Sequence, residues 1–137
     1  MTIEEVQKDI VNEFSNKKDW MDIYQTLIAY GLHIGCNIDR NEENKLAGCQ
    51  NNVWIEGHLN DNGNMSYSYY SDAAIIRGIM YLIFRVLDNQ CPQDIIDAKL
   101  HFIDDLKLTN SVGNGRTNGI YVILDRIVDI ARENLNI

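Results

Sequence analysis

The first third of the chain spaces its apolar residues with the period of an α-helix. One set, three or four positions apart, is Ile3, Val6, Ile10 and Phe14, and a second is Trp20, Tyr24, Leu27 and Ile28. This spacing predicts two amphipathic helices. We expect Thr2 and Glu5 to form a capping box at the first helix, Asp19 to cap the second, and Gly31 to lie near its end.

The pattern then changes from helical to alternating. Residues 35–45 are mostly polar and acidic and predict an exposed loop. Residues 53–59 alternate apolar and polar positions, and residues 65–70 are strand-like as well. Between them, residues 60–64 read Asn-Asp-Asn-Gly-Asn, a sequence typical of a tight turn. We therefore predict an antiparallel hairpin.

A long apolar segment follows the predicted hairpin. Ser71 and Asp72 are residues that commonly begin helices, and residues 73–87 after them are apolar nearly all round. A helix of this kind is usually central and buried. Pro92 ends this region and is expected in the first turn of a short helix over residues 92–98.

The C-terminal third ends in another helical pattern. Residues 99–108 are compatible with a strand or a helix, and residues 109–115 are rich in glycine and asparagine and predict a loop. Periodic apolar positions predict a last helix within residues 119–135. Several helices and one hairpin predict a single α+β domain over residues 1–137, with the helices packed on an antiparallel sheet.

The charge balance excludes several classes of partner. The chain has 12 Lys and Arg against 20 Asp and Glu, a net charge of −8, and such a domain repels phosphate backbones. Its longest apolar stretch, residues 73–87, contains Arg77 and Arg85 and is shorter than the roughly 20 residues that a membrane span requires. We therefore predict a cytoplasmic protein with no nucleic-acid or membrane partner.

The three cysteines are the candidate reactive groups. Cys36, Cys49 and Cys91 are an odd number and lie far apart, so we expect free thiols. Cys49 follows Gly48 at the end of the polar loop and precedes a strand, an arrangement that suits a thiol reaching into another protein. The alternative is a small buried cysteine. A zinc site formed by the three cysteines and Asp39 has acceptable ligand types but no usual spacing.

Residues 44–54, which read NKLAGCQNNVW, resemble the active loop of the SufE family. These proteins are sulfur acceptors of iron–sulfur cluster assembly, and their loop reads glycine-cysteine-glutamine, a small polar residue, a variable position, then valine-tryptophan. Four further segments also resemble SufE proteins and occur in the same order as in that family: residues 71–78, 92–95, 108–109 and 116–120. The resemblance covers nearly the whole chain and implies a SufE-like α+β fold.

The resemblance implies a persulfide relay. Cys49 would take sulfur from a persulfide on a cysteine desulfurase and pass it to an iron–sulfur scaffold complex, with its thiolate as the attacking species. The chain would activate the desulfurase rather than turn over alone. It would need no cofactor beyond the transient persulfide on Cys49, because the pyridoxal phosphate belongs to the desulfurase.

The resemblance also implies supporting residues around Cys49. Gly48 and Gln50 would shape the loop, and Asp72 would lie near it and help hold it, with helix N-capping as its alternative role. Arg116 would lie beside the loop, where its cation favours the thiolate or meets an acid on the desulfurase, unless it is an ordinary surface arginine.

Two departures from the family pattern keep other functions open. Asn51 stands where serine is common, and residues 113–115 carry two glycines where a proline and a serine are common, which loosens the segment before Arg116. One alternative is therefore an adaptor that binds a desulfurase without persulfide chemistry. The other is a zinc-binding or cluster-binding scaffold that uses the three cysteines.

Overall fold

The computed structural model describes residues 1–17, 19–33, 38–48, 51–108 and 114–135, with the side chains of residues 114–118 outside that description. The elements within these ranges are α1 (Ile3–Glu13), α2 (Trp20–Leu32), β1 (Val53–Leu59), β2 (Met65–Ser71), α3 (Ala74–Leu87), α4 (Pro92–Asp97), α5 (Phe102–Asp105) and α6 (Asn114–Leu135). Helices around a two-stranded antiparallel sheet confirm the predicted α+β class.

Both N-terminal helices begin at the predicted caps. The Glu5 N–H donates to Thr2 Oγ1 at 3.1 Å, and the Thr2 N–H donates back to the Glu5 carboxylate at 3.0 Å, which completes the capping box. Asp19 accepts from the Asp22 N–H at 3.0 Å. These side chains satisfy backbone donors that have no partner within the helix.

The predicted hairpin is present, and its register runs from Val53 opposite Ser71 to Leu59 opposite Met65. Alternation places one face against the core, where Val53 and Met65 are fully buried. Tyr67 on the same face donates its hydroxyl to the Ile127 carbonyl of α6 at 3.0 Å. The hairpin is therefore fixed to the last helix.

α3 is the central helix, as predicted, but its start differs from the prediction. Its N-cap residue is Ala73, no side chain caps it, and Ser71 Oγ instead accepts from the Ala73 N–H at 3.2 Å. The interpretation of Asp72 as an N-cap is therefore wrong. Its side chain is directed to the preceding loop region, as described below.

The C-terminal elements resolve one prediction that was left open and shift two helix boundaries. The ambiguous residues 99–108 contain the short helix α5, and α4 ends at Asp97 with Ala98 as its C-cap residue. α6 begins at Asn114, so residues 114–115 are helical, whereas residues 109–113 lie outside the described residues. The apolar pattern missed this start because the first turn carries low-propensity residues, which cost least where amide donors are unpaired anyway.

The helices and the hairpin share one apolar core, formed mainly by α3 with contributions from α2, β1, β2 and α6. In the part of the chain that the structure describes, no helix is both long and apolar enough to cross a membrane.

Candidate functional site

We call residues 47–52 the Cys49 loop; Cys49 and Gln50 themselves lie outside the described residues. The residues before the loop run antiparallel to the start of β1. The Leu46 N–H donates to the Val53 carbonyl, and the Ile55 N–H donates to the Asn44 carbonyl, both at 2.8 Å. Lys45 and Trp54 form the bridge between these two bonds. The N-terminal end of the loop is therefore anchored to the sheet.

Asn44 strengthens this anchor through its side chain and its backbone amide. Its Nδ2 donates to the Asp39 carbonyl at 3.0 Å and to Glu56 Oε2 at 3.1 Å, and its backbone N–H donates to Asn41 Oδ1 at 2.9 Å. Together with its carbonyl bond to Ile55, Asn44 joins the preceding polar segment to the outer face of β1.

The C-terminal end of the loop is anchored by Asn52 and Asp72. The Asn52 backbone N–H donates to Asp72 Oδ1 at 3.2 Å, and its Nδ2 donates to Asp72 Oδ2 at 2.8 Å. The Asp72 N–H in turn donates to the Asn52 carbonyl at 3.2 Å. Hydrogen bonds to a carboxylate are the stronger kind, so this pair ties the loop to the junction of β2 and α3.

Cys49 is equally distant in sequence from the two anchors. It lies three residues after Leu46 and three before Asn52. An extended chain spans at most ~3.3–3.6 Å per residue, so three residues of chain reach at most roughly 11 Å from either anchor.

Gly48 and the last helix meet beside the loop. Gly48 is exposed and has φ +88°, a left-handed conformation that favours glycine. A Cβ at this position would lie 3.8 Å from the nearest Val122 methyl group of α6. Arg116 lies in the first turn of the same helix, and its side chain is outside the described residues. Six residues of helix place it about 9 Å along the axis from Val122.

A second cluster, which the sequence analysis missed, lies at the base of the loop. Arg77 Nε donates to the Gly31 carbonyl at 2.8 Å, and its guanidinium also donates to the Ser71 carbonyl at 2.7 Å and to the Tyr70 hydroxyl at 3.2 Å. It therefore joins the ends of α2 and β2 to α3. A charged residue within an otherwise apolar helix was the available signal, because a half-buried arginine needs acceptors.

Tyr70 in this cluster contacts two cations. The guanidinium carbon of Arg40 lies 4.0 Å from the centre of the Tyr70 ring, and that of Arg77 lies 5.0 Å from it. Trp54, directly opposite Tyr70 on β1, has its ring centre 6.3 Å from the Tyr70 ring. Cation–π contacts and the aromatic pair add support to the strand that follows the loop.

The alternative zinc site involves residues that the structure describes only in part. Cys91 is a half-buried free thiol, whereas Cys36 and Cys49 lie outside the described residues. Among the residues that are described, no three His, Cys, Asp or Glu side chains come together in a way that could hold a metal ion.

The fold defines the structural class of the protein. It is similar to the solution structure of a hypothetical protein from Thermus thermophilus, with a TM-score of 0.76 and 14% sequence identity over 96% of this chain and 97% of that one. The SufE family model, described as an Fe-S metabolism associated domain, matches residues 8–131. This chain therefore belongs to the SufE family, a family associated with iron–sulfur metabolism.

Proposed function

We propose that this chain is a sulfur acceptor of the cytoplasm that takes persulfide sulfur from a cysteine desulfurase onto Cys49 and delivers it to an iron–sulfur scaffold complex. Membership of the SufE family supports the general role. The observation that carries the specific one is the double anchoring of the Cys49 loop, by Leu46 and Asn44 on one side and by Asp72 on the other.

The proposed step is an exchange at sulfur. The Cys49 thiolate attacks the terminal sulfur of the donor persulfide, the donor's S–S bond breaks, and its electron pair leaves with the donor cysteine as a thiolate. A new S–S bond forms on Cys49, and the terminal sulfur keeps its proton. The step balances without an external oxidant or reductant, and pyridoxal phosphate acts only earlier, on the desulfurase.

The anchored loop suits this exchange because it limits where the thiol can go. A cysteine with an anchor three residues away on each side is limited by chain length to one region of the surface. Restricting the reacting group in this way reduces the orientational entropy lost when donor and acceptor sulfur atoms meet. The donor cysteine must therefore approach the acceptor protein closely.

Neighbouring residues receive supporting roles in this proposal. Gly48 supplies the left-handed backbone that the loop needs, with φ +88°. Gln50 holds the loop through hydrogen bonds to its backbone, and Arg116 contributes a cation that favours the thiolate or binds an acidic group of the desulfurase. Support for the Arg116 role comes from the position of α6, which passes beside Gly48 at Val122.

The activation part of the proposal is tested by desulfurase turnover. Alanine release from cysteine is measured with a cysteine desulfurase alone and with wild-type, Cys49→Ser or Cys91→Ser protein, in the presence of a reductant. We expect wild type and Cys91→Ser to stimulate turnover equally and Cys49→Ser to give none, because only Cys49 accepts sulfur.

Two other outcomes would identify the alternatives. Full stimulation by Cys49→Ser would overturn the acceptor role and indicate an adaptor that acts by binding alone. Absence of stimulation and of binding by wild type, together with stoichiometric metal in protein purified without chelators, would indicate the zinc- or cluster-binding scaffold.

A further inference from the structure

A small, mainly apolar cavity of about 170 Å³ lies between the C-terminal helices. Its buried floor is formed by Leu87, Ile95 and Ile103, and its wall includes Leu124 on α6. This face of α6 is turned about 120° around the helix from Val122, the residue that contacts Gly48. The cavity is therefore separate from the Cys49 loop.

The size and lining of the cavity define the apolar part of a ligand. A sealed apolar cavity of about 150 Å³ holds one benzene molecule, so this cavity, which opens to solvent, has room for a single six-membered ring. Its floor and wall side chains are aliphatic and offer no hydrogen-bonding group, which disfavours a polar occupant.

The residues at the mouth of the cavity indicate the polar part of the ligand. Among the described lining residues, Asp104 is the one charged group, its side chain is exposed, and none of the ion pairs between described residues involves it. Tyr121, which also lines the cavity, is 50% exposed and presents an aromatic ring nearby. A carboxylate and an aromatic face together favour a cation.

We propose that this cavity is a binding site for a small aromatic amine, with the ring in the apolar chamber and the ammonium group at the mouth beside Asp104 and Tyr121. Charge complementarity and the volume of a single ring select this class over neutral sugars, nucleotides and anions. The inference is independent of the proposed sulfur-acceptor function.

The test uses three probes with the same ring and arm length: 2-phenylethylamine, 2-phenylethanol and 3-phenylpropionate. Each is titrated into the ¹⁵N-labelled protein, and backbone amide shifts are followed by NMR. We expect shifts at Ile103 and Leu124 with a dissociation constant on the order of 1 mM for the amine, weaker binding of the alcohol and the weakest binding of the carboxylate.

Variants separate the apolar and the charged contributions to ligand binding. Asp104→Asn should weaken binding of the amine about threefold, as expected for an exposed ion pair, and leave binding of the alcohol unchanged. Ala98→Leu, which adds bulk to the cavity lining, should abolish binding of both. The matched control Ala29→Leu, at an exposed position of α2, should bind like wild type.

Several results would overturn the proposal. No shifts at the cavity residues up to several millimolar amine would exclude the site, and equal binding by Ala98→Leu would place the probe elsewhere. Carboxylate binding as tight as amine binding would exclude the charge selection. If Ala98→Leu changes the whole spectrum, Ala98→Val provides the same test with less added volume.

Discussion

Hydrogen bonds hold the two ends of the Cys49 loop, and polar side chains add to the backbone pairing of its N-terminal end with β1. At the C-terminal end, Asp72 accepts from the backbone N–H and from the side-chain amide of Asn52. At the N-terminal end, the side chain of Asn44 donates to Asp39 and Glu56. Each bond lies at an exposed or half-buried position, where a hydrogen bond contributes about 1 kcal/mol net.

Removing the Asp72 carboxylate tests the C-terminal anchor. In Asp72→Ala, the N–H and amide of Asn52 lose their acceptor, and the loop should open more often. We expect hydrogen exchange at the Asn52 backbone amide to become about fivefold faster, the change that corresponds to about 1 kcal/mol. NMR of the ¹⁵N-labelled protein in deuterated buffer measures this rate at the Asn52 amide alone.

The control for this experiment is Asp61→Ala, which removes a carboxylate from the exposed hairpin turn. Its Asn52 amide should exchange at the wild-type rate. An Asp72→Ala rate equal to that of this control would show that Asp72 does not restrain the loop.

His101 is a second residue whose contacts have a measurable consequence. Its Nδ1 lies 2.6 Å from Asp105 Oδ2, and its Nε2 lies 3.0 Å from Glu4 Oε1, so the ring joins α5 to the start of α1. The hydrogen bond to Asp105, followed by that to Glu4, raises the pKa of His101 above its usual 6.5. The charged imidazole is therefore favoured in the folded protein.

A raised pKa in the folded state fixes the direction of the pH dependence. The stabilisation by His101 is complete below the unfolded pKa and disappears as the pH rises through the higher folded pKa. We expect His101→Gln to lower the free energy of unfolding at about pH 5.5, by no more than about 1 kcal/mol because the ring is partly exposed, and to have less effect at about pH 8.5. Urea unfolding of both proteins measures the difference, and an effect that grows with pH would contradict this assignment.

The sequence predicts the local contacts of these residues but not their distant ones. The capping box of Thr2 and Glu5 was predictable because the two residues are three positions apart and follow a known pattern. The partners Asn52 and Asp72 are 20 positions apart, and His101 and Glu4 are 97 apart. No local rule pairs such residues, since only the packing of whole elements brings them together.

At the scale of elements, α2 and α3 pack unusually closely through two glycines. A Cβ on Gly78 would lie 1.9 Å from the Leu27 carbonyl oxygen, and a Cβ on Gly31 would lie 2.1 Å from the Ala74 carbonyl oxygen. The neighbouring atoms belong to backbone, so they cannot rotate away as a flexible side chain would. The same approach brings the Gly31 carbonyl to Arg77.

Gly78→Ala should therefore force these two helices apart. We expect a loss of about 3 kcal/mol or more in the free energy of unfolding, at the upper end for overpacking of a core. The comparison is Gly63→Ala in the hairpin turn, where the added Cβ has open space but the φ of +84° carries a strain of about 1–2 kcal/mol. Equal losses in urea unfolding would show that close packing is not the reason for glycine at position 78.

Element boundaries were harder to predict than the elements themselves. The hairpin followed from alternation and from the Asn-rich turn, and the register agrees with both. The start of α6 was placed too late because Ile120 is the first residue of its apolar period. The start of α3 was misassigned because Ser71 and Asp72 have the side chains of a cap but bind elsewhere.

At the scale of the whole molecule, three parts of the fold meet at the Cys49 loop. The sheet anchors the loop before Cys49, the junction of β2 and α3 anchors it after Gln50, and α6 passes beside Gly48. The net charge of −8 gives the rest of the surface an acidic character. Arg40 and Arg77 are two cations in this acidic protein, and both guanidinium groups lie against the ring of Tyr70.

The proposed transfer of sulfur to Cys49 is tested best by measuring the mass of the peptide that contains Cys49. Wild-type protein is mixed with a cysteine desulfurase and free cysteine, alkylated to trap persulfides, digested and analysed by mass spectrometry. We expect one added sulfur atom on the Cys49 peptide and none on the Cys91 peptide. A Cys49 peptide without added sulfur, from protein that demonstrably binds the desulfurase, would contradict it.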